Sequence, residues 1–175
     1  EDVKDFYFSN RLTGGAREIV PFELTWLTDI MGIPQDVKGV FAKTIDCKAD
    51  IEDSYAFTLK YKNAVGSMIV DVAARYAIRN LVINLEQAQI QWRWDDNKMR
   101  IYEVKSQSWV EYKQPELKAA DGYNVNINEN MYVEEVQAFL DGIKERTRYP
   151  NTLANDIDIL KLLKAVEDSD GGFDR

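Results

Sequence analysis

Two glutamates have the types and spacing that could do chemistry. Glu23 follows Ile19 by four positions and precedes Trp26 and Leu27 by three and four, so on a helix it lies on or beside an apolar stripe. A carboxyl group there is poorly hydrated unless it finds a partner, and carboxyls in such surroundings serve as general acids or bases. The same placement suits a structural Glu tied to an arginine or a backbone donor. Glu18 opens the same segment, next to Arg17 and the Gly14–Gly15 pair. A carboxylate in the first turn of a helix gains about 0.3–1 kcal/mol from the helix dipole, which is one sufficient reason for it. A carboxylate beside a Gly-Gly loop can also be approached closely by a sugar or a ligand backbone, which is the functional reading.

Arg75, Tyr76 and Arg79 form a second cluster, between two strand-like segments. Two guanidinium groups beside a Tyr suit an anionic or sugar ligand, and they equally suit a solvated connection. Trp92, Trp94 and Trp109 suit sheet packing or a subunit contact. Asp46, Asp50, Glu52 and Asp53 resemble a solvated loop, since they lack the glycine and closing bidentate Glu of a calcium loop. No metal site is expected.

Composition narrows the chemistry further. The 175 residues contain no His, which excludes Ser-His-Asp and Cys-His catalysis and His-ligated zinc. The single Cys, Cys47, excludes an intrachain disulfide. The formal net charge of -8 makes nucleic acid and anionic membrane surfaces poor partners. No apolar run approaches the roughly 18 residues of a membrane span, and a cytoplasmic location fits the lone thiol. Neither GxGxxG nor GxxxxGK[ST] occurs, so the chain has no usual cradle for a dinucleotide or a nucleoside triphosphate. It begins with Glu rather than Met, as expected of a piece of something longer.

The elements that position these residues follow from periodicity. The first ten residues alternate loosely, as a short strand would. Arg17 to Met31 is predicted as a helix with a stripe of Ile19, Phe22, Glu23, Trp26, Leu27 and Ile30, ended by Gly32 and Pro34. From Val37 the period becomes two. Strands are predicted over 54–61, 66–74, 80–85, 89–94 and 99–104, on turns so short that neighbours must pair antiparallel. Residues 113–128 are irregular, with Asn124, Asn126 and Asn128 in loop chemistry. Asn130 is expected to cap a helix to about Arg146, with Tyr132, Val136, Phe139, Leu140 and Ile143 inside. A last helix spans Thr152 to Glu167, with Leu153, Ile157, Leu160, Leu163 and Val166 inside, and the tail is frayed. The expected fold is α+β: one domain over residues 1–175, an open, predominantly antiparallel sheet of about six strands, helices on one face.

Three stretches carry a resemblance: GGAREIVPFELTWLTDIMGIPQDVKGVFAKTID, EDSYAFTLKYKNAVGSMIVDV and RNLVINLEQAQIQW. In that order they resemble the C-terminal domain of the glucose–fructose oxidoreductase, inositol dehydrogenase and rhizopine catabolism family (Gfo/Idh/MocA), a dihydrodipicolinate-reductase-like fold. The later YVEEVQAFLDGIKERTRYPNTLANDIDILKLLKAVEDS resembles that family's closing helices. The similarity spans nearly the whole chain. It implies a two-domain oxidoreductase whose N-terminal Rossmann domain, absent here, binds NAD or NADP and supplies a Lys. This half would hold the substrate, a sugar, polyol or sugar nucleotide, and form a homo-oligomer through its sheet face; alone it would be inactive.

The family places an Asp and, four residues on, a His after its Gly-rich turn. Here Glu18 stands at the Asp position and Phe22 at the His position, so either Glu18 or Glu23 takes over, or the Lys of the other half works alone, or the protein has drifted from dehydrogenase chemistry; a carboxylate substitution is the expectation preferred here. Glu18 and Glu23 are the expected catalytic residues, and Arg17, Arg75 and Arg79 the expected substrate-binding ones. No cofactor-binding residue is expected in this half. A reading of a different class also fits, a non-catalytic sheet-mediated dimerisation or ligand-binding module.

Overall fold

In the computed structural model of the chain, residues 7–96, 98–113 and 129–171 are described. A 3-10 turn at Tyr7–Ser9 precedes helix α1 (Ala16–Met31). Strands β1 (Asp36–Ala42), β2 (Ser54–Lys60), β3 (Val65–Asp71), β4 (Asn80–Asn84), β5 (Ala88–Arg93), β6 (Lys98–Glu103) and β7 (Ser108–Lys113) follow. Helices α2 (Glu129–Ile143) and α3 (Leu153–Asp168) come last. The irregular stretch expected at 113–128 lies, apart from Lys113, outside the described residues. So do residues 1–6 of the expected first strand and the last four of the tail. The chain divides into two compact units, one of residues up to 75 with those from 151 on, the other of 76–150.

In the first unit β1, β2 and β3 pair antiparallel in that order. Alternation puts Val37, Tyr55, Phe57, Leu59 and Val70 on one buried face. That face meets Ala16, Val20 and Leu24 of α1 and Ile159, Leu162, Leu163 and Val166 of α3 in one core. Helices therefore cover one face of an antiparallel sheet, as the α+β expectation has it. Arg17 of α1 donates through Nε to Glu167 of α3 at 2.6 Å, and the buried Tyr55 donates its hydroxyl to the same carboxylate at 3.2 Å. Burial first, then the Glu167 charge, holds the Tyr55 phenol far above its ordinary 10.0.

The buried stripes differ from those expected. On α1 the contact row is Ala16, Val20 and Leu24, with Ile19 and Leu27 partly buried, while Phe22 and Ile30 are exposed. The row two positions on carries Glu18, Phe22 and Trp26 and lies outside this core. On α3 Leu163 and Val166 are buried as expected, together with Ile159 and Leu162, while Leu153, Ile157 and Leu160 are exposed.

In the second unit β4 to β7 form a ladder in sequence order, each pair antiparallel. Among the described residues seven strands in ladders of three and four thus stand where about six in one sheet were expected, and β7 extends the alternation beyond Val104. The register aligns Leu81, Trp92, Met99 and Tyr112 on one face. The opposite face mixes polar residues with Val82, Tyr102 and Trp109; there the Arg100 guanidinium lies 5.4 Å from the Trp109 ring centre and Lys98 pairs with Glu111 at 3.2 Å. Helix α2 starts at Glu129, before the expected cap Asn130, and its apolar residues Val136, Phe139 and Ile143 are exposed.

Candidate functional site

The N-terminus of α1 is fixed by two glycines that tolerate no side chain. A Cβ on Gly14 would fall 1.8 Å from the Phe8 carbonyl oxygen. Gly15 has a φ of 66°, and its Cβ would fall 2.4 Å from the Glu52 carbonyl oxygen. The next residue, Ala16, donates its N–H to that same oxygen at 2.9 Å. The start of the helix is thereby clipped to the residue pair that leads into β2.

That pair is buried, which corrects the expectation of a solvated acidic loop for Glu52 and Asp53. Glu52 accepts from Arg11 Nε at 2.8 and 3.1 Å and from Arg11 Nη2. Asp53 accepts from the Thr44 N–H, the Thr44 hydroxyl at 2.7 Å and the Ile45 N–H at 2.9 Å. Burial pulls the Asp53 carboxyl upward, but these donors outweigh it and hold the group below its ordinary 3.8. Lys43 Nζ closes the intervening loop on the Ala49 carbonyl. Asp46 and Asp50 are exposed as expected.

Between this loop and the helix start lies a pocket of about 380 Å³. Tyr7, Phe8, Gly15, Glu18, Ile19, Cys47, Ala49, Ile51 and Val72 line it. Glu18 is half-buried and is the only carboxylate among these lining residues; none of them is basic. The Glu18 charge, and then a hydrogen bond with the Tyr7 hydroxyl, raise the Tyr7 phenol above its ordinary 10.0. An apolar-walled concavity with one carboxylate, one phenol and one thiol can orient a hydroxyl-bearing ligand and accept a proton from it.

Glu23 is not among the lining residues. It is half-buried one turn further along α1, and its carboxylate accepts the Trp26 indole N–H at 2.8 Å. Phe22, at the position of the family's His, is exposed. Arg17 is engaged by Glu167 and the Leu12 carbonyl. Arg75 is exposed at the end of the first unit. Arg79 belongs to the second unit, with its guanidinium 5.9 Å from the Trp92 ring centre. Sequence reasoning missed Tyr7, Phe8 and the wall formed by Cys47, Ala49 and Ile51. The one signal that could have found them was the Gly-Gly pair, since adjacent glycines mark a close approach by something distant in sequence. Among the described residues no set of three or more Cys, Asp or Glu side chains is arranged to hold a metal ion. No described helix is long and apolar enough to cross a membrane.

No protein-family model matches the sequence, and no curated protein matches it. Solved structures do share its fold. A biliverdin reductase from Synechocystis, solved with biliverdin and NADP+, superposes with a TM-score of 0.70 over 98% of this chain and 52% of its own, at 11% identity. An oxidoreductase from Agrobacterium radiobacter, solved with NAD+, L-tartaric acid and magnesium, gives 0.68 over 85% and 44%, at 14% identity. A UDP-N-acetylglucosamine 3-dehydrogenase from Acidithiobacillus ferrooxidans gives 0.66 over 87% and 45%, at 14% identity. The chain shares the fold of part of each of these oxidoreductases. The chain spans about half the length of the structures it matches.

Proposed function

We propose that the chain is the substrate-holding half of an NAD(P)-dependent oxidoreductase acting on a hydroxyl or carbonyl of a sugar, polyol or sugar nucleotide. In this reading Glu18 accepts the substrate's hydroxyl proton during oxidation and returns it during reduction. The observation that supports it is the Glu18 carboxylate in the wall of the 380 Å³ pocket, in the first turn of α1. As the carbinol becomes a carbonyl its carbon gives up a hydride, its O–H bond breaks, and the proton passes to a Glu18 oxygen. Glu18 stands beside the Tyr7 hydroxyl in the first turn of α1. Phe22 cannot move a proton, so the carboxylate takes the part that the resemblance gives to a His. Arg75, three residues beyond the pocket residue Val72, is assigned to anionic groups of the substrate. Arg17 and Arg79 have the contacts described above and are not assigned.

The residues present do not fit a dinucleotide. No glycine fingerprint exists, and Gly14–Gly15 is occupied by the approach to Phe8 and Glu52. The nicotinamide, NAD or NADP, is assigned to the half that the matched structures have in addition, and residues 1–175 alone are expected to be inactive. The test uses the polypeptide that carries both halves. It should bind NADH or NADPH, and Glu18→Gln should lower turnover about a hundredfold or more with cofactor binding and thermal stability unchanged. Unchanged turnover removes Glu18 from the mechanism. Failure to bind either nucleotide removes the oxidoreductase reading.

A further inference from the structure

We propose that the substrate held at Glu18 is an uncharged deoxy sugar, one in which a methyl group stands where a hydroxymethyl group is usual. Its methyl-bearing flank lies on the aliphatic floor made by Ala49, Ile51 and Val72, and Ile51 and Cys47 set the preference. The inference rests on the oxidoreductase reading for what Glu18 does, and it narrows the substrate of that reading.

The polar groups of the pocket supply the first argument. Among its lining residues the side chains that can hydrogen-bond are the Glu18 carboxylate, the Tyr7 hydroxyl and the Cys47 thiol. Phe8, Ile19, Ala49, Ile51 and Val72 are apolar. Backbone groups on the loop side are already engaged. The Ala49 carbonyl accepts from Lys43 Nζ, and the Val72 N–H donates to the Asp53 carbonyl at 2.9 Å. The Cys47 thiol is a weak donor turned to its own loop, with Sγ 3.7 Å from the same Ala49 carbonyl. A ligand on this wall therefore meets one strong acceptor, one phenol and otherwise hydrocarbon.

Acceptor and hydrocarbon are contiguous. Ile19 follows Glu18 directly on α1. A Cβ on Gly15 would fall 3.0 Å from the Ile51 Cβ, so Ile51 packs against the turn that opens the helix. The floor is also fixed, because Lys43 ties the segment at Ala49 and the Ala16 N–H ties it at the Glu52 carbonyl. A ligand hydroxyl bonded to Glu18 thus has carbon beside it rather than donors.

Charge supplies the second argument. Arg11 is held by Glu52 and lies 3.6 Å from Asp50, and Arg17 is held by Glu167. Lys48, next to Cys47, is exposed and does not line the pocket. A uronate or a phosphate in the pocket would meet Glu18 with no cation to offset the repulsion. Arg75, to which anionic groups are assigned above, lies outside the lining residues, so a sugar linked to an anionic carrier remains compatible.

Three kinds of ligand can then be compared. A hexose carries a hydroxyl on nearly every carbon, and one placed on the floor loses water without gaining a partner. A purely apolar ligand leaves the carboxylate desolvated and unpaired. A deoxy sugar avoids both costs, with a hydroxyl on Glu18 and a methyl group on Ile51.

The experiment uses pairs that differ by one hydroxyl, D-fucose against D-galactose and L-rhamnose against L-mannose. Binding to residues 1–175 is read from the rate at which a maleimide labels Cys47, the only thiol in the chain and part of the pocket wall. In at least one pair the deoxy member should protect Cys47 with a Kd about tenfold or more below that of its partner. D-Galacturonate should give no protection. Ile51→Thr, read by labelling, and Cys47→Ser, read by ligand-observed NMR, should each reduce the ratio to about threefold or less. Ile51 is buried and Cys47 half-buried, so Cys47→Ser carries the test where Ile51→Thr fails to fold. Equal protection within both pairs, protection by D-galacturonate, or an unchanged ratio in Cys47→Ser overturns the proposal. Absence of protection by every sugar overturns it as well. The two readings fail separately. A polypeptide with both halves that binds NADH and oxidises D-galactose and D-fucose with equal kcat/KM, and L-mannose and L-rhamnose likewise, removes this inference and keeps the oxidoreductase reading. One that binds neither nucleotide, while residues 1–175 retain the preference, keeps a deoxy-sugar site and removes that reading.

Discussion

Replacing Asp53 with alanine should be among the most damaging single changes to the first unit. Its side chain is 1% exposed and accepts three hydrogen bonds, from the Thr44 N–H, the Thr44 hydroxyl and the Ile45 N–H. Hydrogen bonds to a charged acceptor contribute about 1.5–3 kcal/mol each, and leaving a buried donor unpaired costs about 1–3 kcal/mol. Thr44 and Ile45 are themselves exposed, so water recovers part of this. The expected loss is about 3 kcal/mol, a large share of the roughly 5–15 kcal/mol of a typical domain. For a chain of this size it lowers the melting temperature by about 6–12 °C. Urea unfolding at pH 7, followed by circular dichroism, should show a lower midpoint with an unchanged slope. The pH dependence has a fixed sign. Asp53 is held below its ordinary 3.8, so its contribution is complete above pH 3.8 and is lost as pH falls through the lower folded value. Asp53→Asn should therefore flatten the acid limb of the stability profile. A local readout is also available, because Cys47 is the only thiol in the chain and sits in the loop that Asp53 holds. Maleimide labelling of Cys47 should quicken in Asp53→Ala. A midpoint shift worth less than about 0.5 kcal/mol, with unchanged labelling, would refute the assignment of Asp53 as the organiser of this loop.

Two further outcomes are expected. Tyr55→Phe removes the hydroxyl bonded to Glu167 and should cost about 1–2 kcal/mol at pH 7. Because the folded Tyr55 phenol is held above 10.0, its contribution is intact below pH 10 and drains away as the unfolded chain ionises above it. The gap between parent and variant should therefore narrow above pH 10, and a constant gap would contradict this. We assign the expected homo-oligomer contact to the sheet face turned away from α1 and α3, where Val65 and Ile69 are exposed. Ile69→Lys should shift the oligomer towards monomer in sedimentation without lowering stability, and an unchanged distribution would remove that face.

Much of the fold was legible because strand alternation has only two phases. Tyr55, Phe57 and Leu59 could face one way or the other, and the polar Thr58 and Lys60 decide which. Helices leave more freedom. The α1 segment carries apolar residues on both of its opposite rows, and periodicity detects an apolar row without saying which one meets the sheet. The row Ala16, Val20 and Leu24 meets the sheet, while Phe22 and Ile30 on the other row are exposed. Glu18 was legible from the adjacent Gly-Gly pair. Tyr7 was not, because its contact with Glu18 depends on how the Gly14–Gly15 turn folds the preceding segment back. Glu52 and Asp53 read as solvated because carboxylates are buried only where donors gather, and Arg11, Thr44 and Ile45 reach them through tertiary structure.

The short segment before β2 ties fold to site more closely than the helix does. Ala49 and Ile51 form pocket wall, the Glu52 carbonyl holds the first N–H of α1, the Glu52 side chain holds Arg11, and the Asp53 side chain holds the Thr44–Ile45 turn. Asp53 also pairs through its backbone with Ala42 and Val72, which ends the strands on either side of β2 in one register. The position of Glu18 relative to its wall is thus set by hydrogen bonds on a strand entry as well as by the core contacts of Ala16, Val20 and Leu24. Side chains of the wall can then vary in size without moving the carboxylate. Selectivity for a ligand would reside in residues such as Ile51 and Cys47, and the proton-accepting geometry in the backbone clip at Glu52.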